Sequence, residues 1–354
     1  MKKFALVMLY CVCSLWCMGQ RTLTDTVMGL HDHTNDVTRA IYSLDGRRLI
    51  TAGLDRTVHY YESTNWIEIY SYSHSAEVTQ VAISRDNSII ASSSKDGKLK
   101  IYFLDSAKSL EFEVDAPITG IVFDFGMRFL YVSCSDGSIR PYDLKKGEYT
   151  KRKFALAMPV TSITISHTNM IYAGMKNGEI KVLNYMGKEA KTLKAHTGEV
   201  NGLYFVFAKG QMLLASSSAD YTIKLWDVKT YKELKTFTGH TWTINSVEIS
   251  RDGQYVLSSS NDGTSRIWSV ESGENIIQIP SKGEASRCIS INEDNQYVAT
   301  ASIVRNPREF VVYIWDTGLK PVEEPKPEKP SPPVKPAPTK PSPAKPAPKK
   351  PKNK

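Results

Sequence analysis

Residues 214–227 read Leu214-Ala-Ser-Ser-Ser-Ala-Asp220-Tyr-Thr-Ile-Lys-Leu-Trp226-Asp227, and the stretch does not stand alone. It returns as Leu257-Ser-Ser-Ser-Asn-Asp262-Gly-Thr-Ser-Arg-Ile-Trp268 and as Ile90-Ala-Ser-Ser-Ser-Lys-Asp96-Gly-Lys-Leu-Lys-Ile-Tyr102. Weaker copies run from Ile50 through Asp55 to Tyr61, from Tyr131 through Asp136 to Tyr142, and from Tyr172 through Asn177 to Leu183; a seventh ends at Trp315-Asp316. The terminal slots fall at 61, 102, 142, 183, 226, 268 and 315, a repeat of 40 to 47 residues. Self-similarity at that period marks a repeat architecture of four-stranded units. Each copy holds short runs of β-formers, such as Gln254-Tyr-Val-Leu-Ser and Thr222-Ile-Lys-Leu-Trp226, separated by tight-turn pairs such as Asp96-Gly97, Asp136-Gly137, Asn177-Gly178 and Asp262-Gly263. Those pairs tolerate the positive φ that a two-residue hairpin requires. No long stretch of 3.6-residue periodicity competes, so the body is expected to be all-β.

With Gly239-His240…Asp262…Trp268 and His196…Asp220…Trp226-Asp227 in view, residues 21–316 resemble the WD-repeat (Trp-Asp) β-propellers. The resemblance implies a seven-bladed propeller in which each unit is written outer strand first. The last unit then stops after its third strand at Asp316, and Arg21–Met28 is expected to supply the fourth, removing a free sheet edge. It also implies a structural role for a polar set that could be mistaken for a Ser-His-Asp triad. His196 with Asp220 and Trp226, His240 with Asp262 and Trp268, His74 with Asp96, and His33 with Asp55 each recur once per unit, which nucleophilic catalysis does not require. In the family the Asp accepts from the His ring and a Ser hydroxyl, and the chain continues to the Trp indole. Tyr61 and Tyr102 are candidates for the hydroxyl end in units one and two. Unit three lacks the His, unit four has Asn177 and Leu183, and unit seven has Glu309, so those blades are expected to be softer.

A partner would bind loops carried on the rigid disc. Just after the first apolar residue of each innermost strand stand Thr38, Thr79, Thr119, Thr161, Asn201, Asn245 and Arg287, expected to ring the channel mouth. Lys95 lies on the rim before its turn Asp, and Ile303-Val-Arg-Asn-Pro-Arg308 lengthens the same loop in unit seven, carrying Arg305 and Arg308. Trp242 is the rim aromatic, and interface energy concentrates in Trp, Tyr and Arg. The partner candidates are therefore Trp242, Arg287, Arg305, Arg308, Lys95 and Asn245. No phosphate loop, His-Glu-x-x-His, acidic calcium loop or Cys-x-x-Cys is present, so no cofactor and no metal site is expected. His31 and His33 lie close together, but His33 is the repeat histidine.

The ends differ from the body. The chain has 354 residues and a formal net charge of +8, of which residues 320–354 contribute +7 and Lys2 with Lys3 a further +2, leaving the body at −1. A near-neutral body without a basic face argues against nucleic-acid binding. Lys2 and Lys3 precede the uncharged run Phe4–Met18, and Gly19 is a plausible last residue of a cleaved secretory signal. The expected division is a signal peptide over 1–19, a propeller over 20–319 and a disordered Pro/Lys-rich tail over 320–354. Export would place the protein outside the cytoplasm, in a bacterial periplasm or secreted; an uncleaved head would instead anchor it to the membrane. Cleavage leaves only Cys134 and Cys288, in well-separated blades, expected as buried free thiols. Thirteen of the eighteen Pro lie at or after Pro321, favouring an extended polyproline II arm that could touch an anionic wall or membrane surface. The expected function is a non-catalytic, monomeric, exported scaffold for unidentified proteins. The competing reading is a ligand-binding or enzymatic propeller with its site at the channel mouth.

Overall fold

A computed structural model describes residues 20–319 apart from Asn306 and Pro307, and the side chains of 304–308 are outside the description. The expected signal segment 1–19, with Cys11, Cys13 and Cys17, and the tail 320–354 lie outside the described residues.

Among the described residues the architecture is seven sheets, antiparallel apart from one short parallel edge strand, and no helix. The innermost strands of blades one to seven are Val37–Tyr42, Val78–Ile83, Ile118–Phe123, Val160–Ile165, Val200–Ala208, Ile244–Ile249 and Ala285–Ile291. Each lies beside the next, and the seventh lies beside the first, so the ring is closed. Burial grades outward along each blade. In blade two the second strand, Ile89–Ser94, is buried at every position, while the outer strand Lys108–Glu113 is exposed at nearly all of them. A strand buried on both faces cannot alternate apolar and polar residues, which is why Ile-Ile-Ala-Ser-Ser-Ser looks irregular as a strand sequence. Seven apolar clusters hold the disc together, each shared by two neighbouring blades; one joins Leu30, Val312 and Ile314 of blade seven to Val37, Leu49 and Tyr61 of blade one. Burial of side chains such as Tyr61, Tyr142, Tyr172 and Trp315 between sheets is the main stabilising term.

The inner strands share a defect. Their pairing with the second strand skips one residue after the first or second position, between Val37 and Arg39, Val78 and Gln80, Ile118 and Gly120, Val160 and Ser162, Val200 and Gly202, Ile244 and Ser246, and Ser286 and Cys288. The skipped residues are Thr38, Thr79, Thr119, Thr161, Asn201, Asn245 and Arg287, the seven expected to ring the channel mouth. They are the extra residues of β-bulges, which re-aim a side chain out of the ladder.

Closure differs from expectation. Met28–Leu30, not Arg21–Met28, completes blade seven, pairing Met28 with Ile314, Gly29 with Tyr313 and Leu30 with Val312. Arg21–Thr22 instead runs parallel to the outer strand of blade six, opposite Ile277 and Gln278, and the Leu23 amide extends that pairing at 3.0 Å. The opening segment thus straps two blades. Leu23 is drawn to blade six because it packs on the apolar cluster between blades six and seven, and Leu30 is buried between seven and one. Cys134 and Cys288 are both buried and free, in blades three and seven.

Candidate functional site

The turns between second and third strands share one face with the loops that enter the inner strands. In blades five and six the expected polar chain is complete. Trp226 Nε1–H donates to Ser216 Oγ at 3.0 Å, which lies 2.8 Å from His196 Nε2; His196 Nδ1 lies 3.0 Å from Asp220. In blade six the same contacts run Trp268 to Ser258 at 2.9 Å, Ser258 to His240 at 2.8 Å and His240 to Asp262 at 2.7 Å. Each Asp also accepts from a threonine two residues on and from the amide of the residue after the His. These donors, led by the His, outweigh burial and hold Asp220 and Asp262 well below the ordinary carboxylate range. Ser216 and Ser258 are fully buried and each is held by both the indole and the imidazole, as members of a structural network are.

Blade one forms the same pair, His33 Nδ1 to Asp55 at 2.8 Å, with Thr51 serving as the hydroxyl at 2.8 Å. The Tyr61 hydroxyl stands by Thr51 at the end of this chain and donates to Asp32 at 2.8 Å. Blade two departs further. His74 meets Ser92 at 2.7 Å, but its Nδ1 has no partner among the described residues, and Asp96 accepts instead from Ser75 at 2.6 Å and from Ser94. The expected His74–Asp96 pair is therefore absent. The reason is local: a serine follows His74 where threonines follow the others, and Lys98 stands where Thr57, Thr222 and Thr264 fix their carboxylates. Burial, assisted by Lys100, pushes His74 down to about 4. Tyr102 stacks on Tyr70 and Tyr72, and Tyr72 rather than Tyr102 reaches Ser92, at 2.8 Å. Blade seven keeps the indole contact without an imidazole, Trp315 donating to Thr300 at 2.8 Å.

Of the six partner candidates, Trp242 is 59% exposed and only its backbone carbonyl is engaged, by Ser260 at 3.1 Å. Arg287 is exposed, and Lys95 pairs with Glu77 at 2.9 Å while staying largely in solvent. Asn245 is not available: its amide donates to Asn261 at 2.7 Å and to the Ser286 carbonyl of blade seven at 2.8 Å. Thr38, Thr161 and Asn201 make the corresponding bonds to the next blade, to Val78, Val200 and Ile244. Four of the seven bulge residues are thus rivets between blades, a role their polarity alone did not reveal. Arg305 and Arg308 face each other across a hairpin that prolongs Tyr297–Arg305 into Arg308–Glu309; their side chains lie outside the description.

The channel is a cavity of about 390 Å³ lined by the inner strands. Arg39 donates to Gln80 at 2.9 Å and Gln80 to the Thr119 carbonyl at 2.8 Å, a chain linking blades one to three. Burial in the channel pushes Glu248 up to about 8, against opposing bonds from Ser290 and Ile291. The opposite face carries an aromatic group that sequence reading passed over. Phe207, 54% exposed, lies beside His167 with ring centroids 4.9 Å apart; Phe125 and Phe205 adjoin, and the Arg85 guanidinium caps Phe125 at 4.5 Å. The signal was the longer hairpin of blade five, Val200–Ala208 with Gln211–Ser218, which carries Phe207 beyond its neighbours.

Comparison with known proteins matches the family model "WD domain, G-beta repeat" to residues 24–62, 66–102, 187–227 and 231–269. Those four segments are the ones that carry both a repeat His and a turn Asp. Eukaryotic translation initiation factor 3 subunit I of Dictyostelium discoideum is 27% identical over 63% of this chain and 70% of its own length; the Xenopus tropicalis counterpart is 25% identical over 62% and 72%. Nuclear distribution protein PAC1-1 of Uncinocarpus reesii is 43% identical, over 21% of this chain and 17% of its own length.

Proposed function

The chain belongs to the WD-repeat β-propeller family, and from that premise we propose that it is a non-catalytic, exported scaffold that captures other proteins on its turn face. The supporting observation is Trp242, a large aromatic held open to solvent on a rim whose neighbouring His, Asp and Ser side chains are already saturated. An exposed indole on the face that also carries Arg287 and the Arg305/Arg308 hairpin becomes an interface anchor once a partner desolvates it. That a similar protein is by name a subunit of an initiation factor agrees with a binding role. Export rests on Lys2, Lys3 and the uncharged run Phe4–Met18, and is tested by N-terminal sequencing of the mature protein, with Gln20 expected first. The Pro/Lys arm is proposed to touch an anionic wall or membrane surface, an attraction that added salt weakens.

Crosslinked pull-down from the native host, with Trp242→Ala and Arg305→Glu/Arg308→Glu beside the wild type, tests the reading. Loss of captured proteins at an unchanged melting temperature supports the turn face. Capture that survives both variants but is lost in Phe207→Ser moves the interface to the opposite face. A second reading, a small-ligand site in the channel, is favoured by Arg39 and Glu248; a ligand whose binding Arg39→Ala abolishes would establish it.

A further inference from the structure

One place in the ring is chemically unlike its six counterparts. The second residue after the turn Thr or its equivalent is Lys100, Arg140, Lys181, Lys224 and Arg266 in blades two to six, and Tyr313 in blade seven; in blade one it is His59. Where the residue is an arginine its cation serves the turn acid. Arg266 Nε donates to Thr264 at 3.2 Å with its guanidinium 3.7 Å from Asp262, and Arg140 Nε donates to Ser138 at 3.2 Å with its guanidinium 3.4 Å from Asp136. Blade one keeps the acid and the hydroxyl, Asp55 and Thr57, but replaces the cation with an imidazole.

The result is a polar cluster short of positive charge. Thr57 Oγ1 lies 2.7 Å from Asp55 Oδ1, 2.9 Å from His59 Nε2 and 3.3 Å from His33 Nδ1. One hydroxyl proton stands between two acceptors. The His59 ring is turned to present Nε2 inward because its Nδ1 faces Glu68, at 3.3 Å on the outer strand. His33 is likewise aimed at Asp55 by the Thr51 contact at its far nitrogen. Donor atoms of His33, Asp55 and His59 all lie within 4.8 Å of one another, and both imidazoles are buried, with ring centroids 4.5 Å apart. A tetrahedron with bonds of about 2.1 Å has edges of roughly 3.4 Å, so small inward side-chain rotations seat a single ion.

From this arrangement we infer that blade one holds a divalent transition-metal site of the zinc class. His33 Nδ1, an Asp55 carboxylate oxygen and His59 Nε2 are its protein ligands, and Thr57 Oγ1 or a water takes the fourth position. Two imidazoles and a carboxylate suit zinc rather than calcium or magnesium. Glu68 and Thr51 are the outer-shell acceptors that orient the two rings, as ligating imidazoles require. The ion occupies the place the guanidinium takes in blades three and six. It ties the loop at His33, which leads into the inner strand Val37–Tyr42, to the second-to-third-strand turn.

Full-length protein is stripped with a chelator and titrated with Zn²⁺ calorimetrically, and with Co²⁺ by visible absorption, beside His59→Arg and Glu68→Gln. His59→Arg installs the side chain that blades three and six already carry, so the metal-free variant is expected to melt with the wild type. The site predicts one ion per chain, an intense four-coordinate Co²⁺ spectrum, at least ~100-fold weaker binding in His59→Arg, and roughly 10-fold weaker binding in Glu68→Gln. Zinc that stabilises only the wild type against heat agrees with it. Equal binding by wild type and His59→Arg, which ions held by His31 or by the chain ends would produce, overturns the inference, as does no binding by the wild type.

Discussion

Asp262→Ala and Asp96→Ala look like the same experiment in sequence, since each removes the acid of a repeat carrying His, Ser and Asp; the structure makes them unequal. Asp262 is almost wholly enclosed and accepts from His240 at 2.7 Å, Thr264 Oγ1 at 2.6 Å, and the Thr264 and Thr241 amides at 2.9 and 3.1 Å. Its removal strands a fully enclosed imidazole N–H and leaves Arg266 without its carboxylate. Breaking a buried charge-assisted set in this way costs about 3–5 kcal/mol. Asp96 is exposed and binds two serine hydroxyls that water can serve, while His74 Nδ1 is already without a partner. Its loss should cost under about 1 kcal/mol. At roughly 2 °C per kcal/mol for a domain of this size, the expected falls in melting temperature are about 6–10 °C and under about 2 °C. Circular dichroism melts at neutral pH measure both. Equal falls, or a larger one for Asp96→Ala, would mean that His74 and Asp96 are paired after all.

Glu248 keeps a proton in the folded state up to about pH 8 that the unfolded chain releases near its ordinary 4.5, so folding stability should decline as pH rises through that window. Glu248→Gln removes this slope: in urea titrations the variant should exceed the wild type above pH 8, with the gap shrinking toward pH 4.5. Leu30→Ala opens the cluster joining blades seven and one and should cost about 2–4 kcal/mol, read as a lower urea midpoint; a shift no larger than that of an exposed Leu234→Ala would contradict closure through Leu30. Burial raises both thiols, Cys288 to about 11, so neither should react with a disulfide reagent at pH 8 until the protein is denatured.

The number of blades and the place of each Asp turn were legible because a blade is a string of local hairpins, and tight turns write their needs into adjacent residues such as Asp262-Gly263. The bulges were not. Thr38 and Asn245 show only that a polar residue is wanted, and the carbonyl that each engages belongs to another repeat about forty residues on. Closure by Met28–Leu30 rather than Arg21–Met28 is a register between opposite ends of the chain, decided by which apolar cluster admits Leu23 and which admits Leu30. The failed His74–Asp96 pair had a visible trace in Ser75 and Lys98, although the competition between hydroxyl and imidazole for one carboxylate is settled by sub-ångström geometry. His59 was readable by alignment of the repeats against Lys100, Arg140, Lys181, Lys224 and Arg266, once position rather than residue type was compared.

The strap formed by Arg21–Thr22 and Met28–Leu30 also sets a timetable. Blade seven takes its fourth strand, Met28–Leu30, from ahead of blade one, so the disc cannot seal until Val312–Asp316 has left the ribosome. Until that moment the apolar flanks of the first and last blades have no neighbour, and any factor that holds Met28–Leu30 delays completion of the whole ring. Met28–Leu30 works as a latch whose catch, Val312–Asp316, is made only after the other six blades.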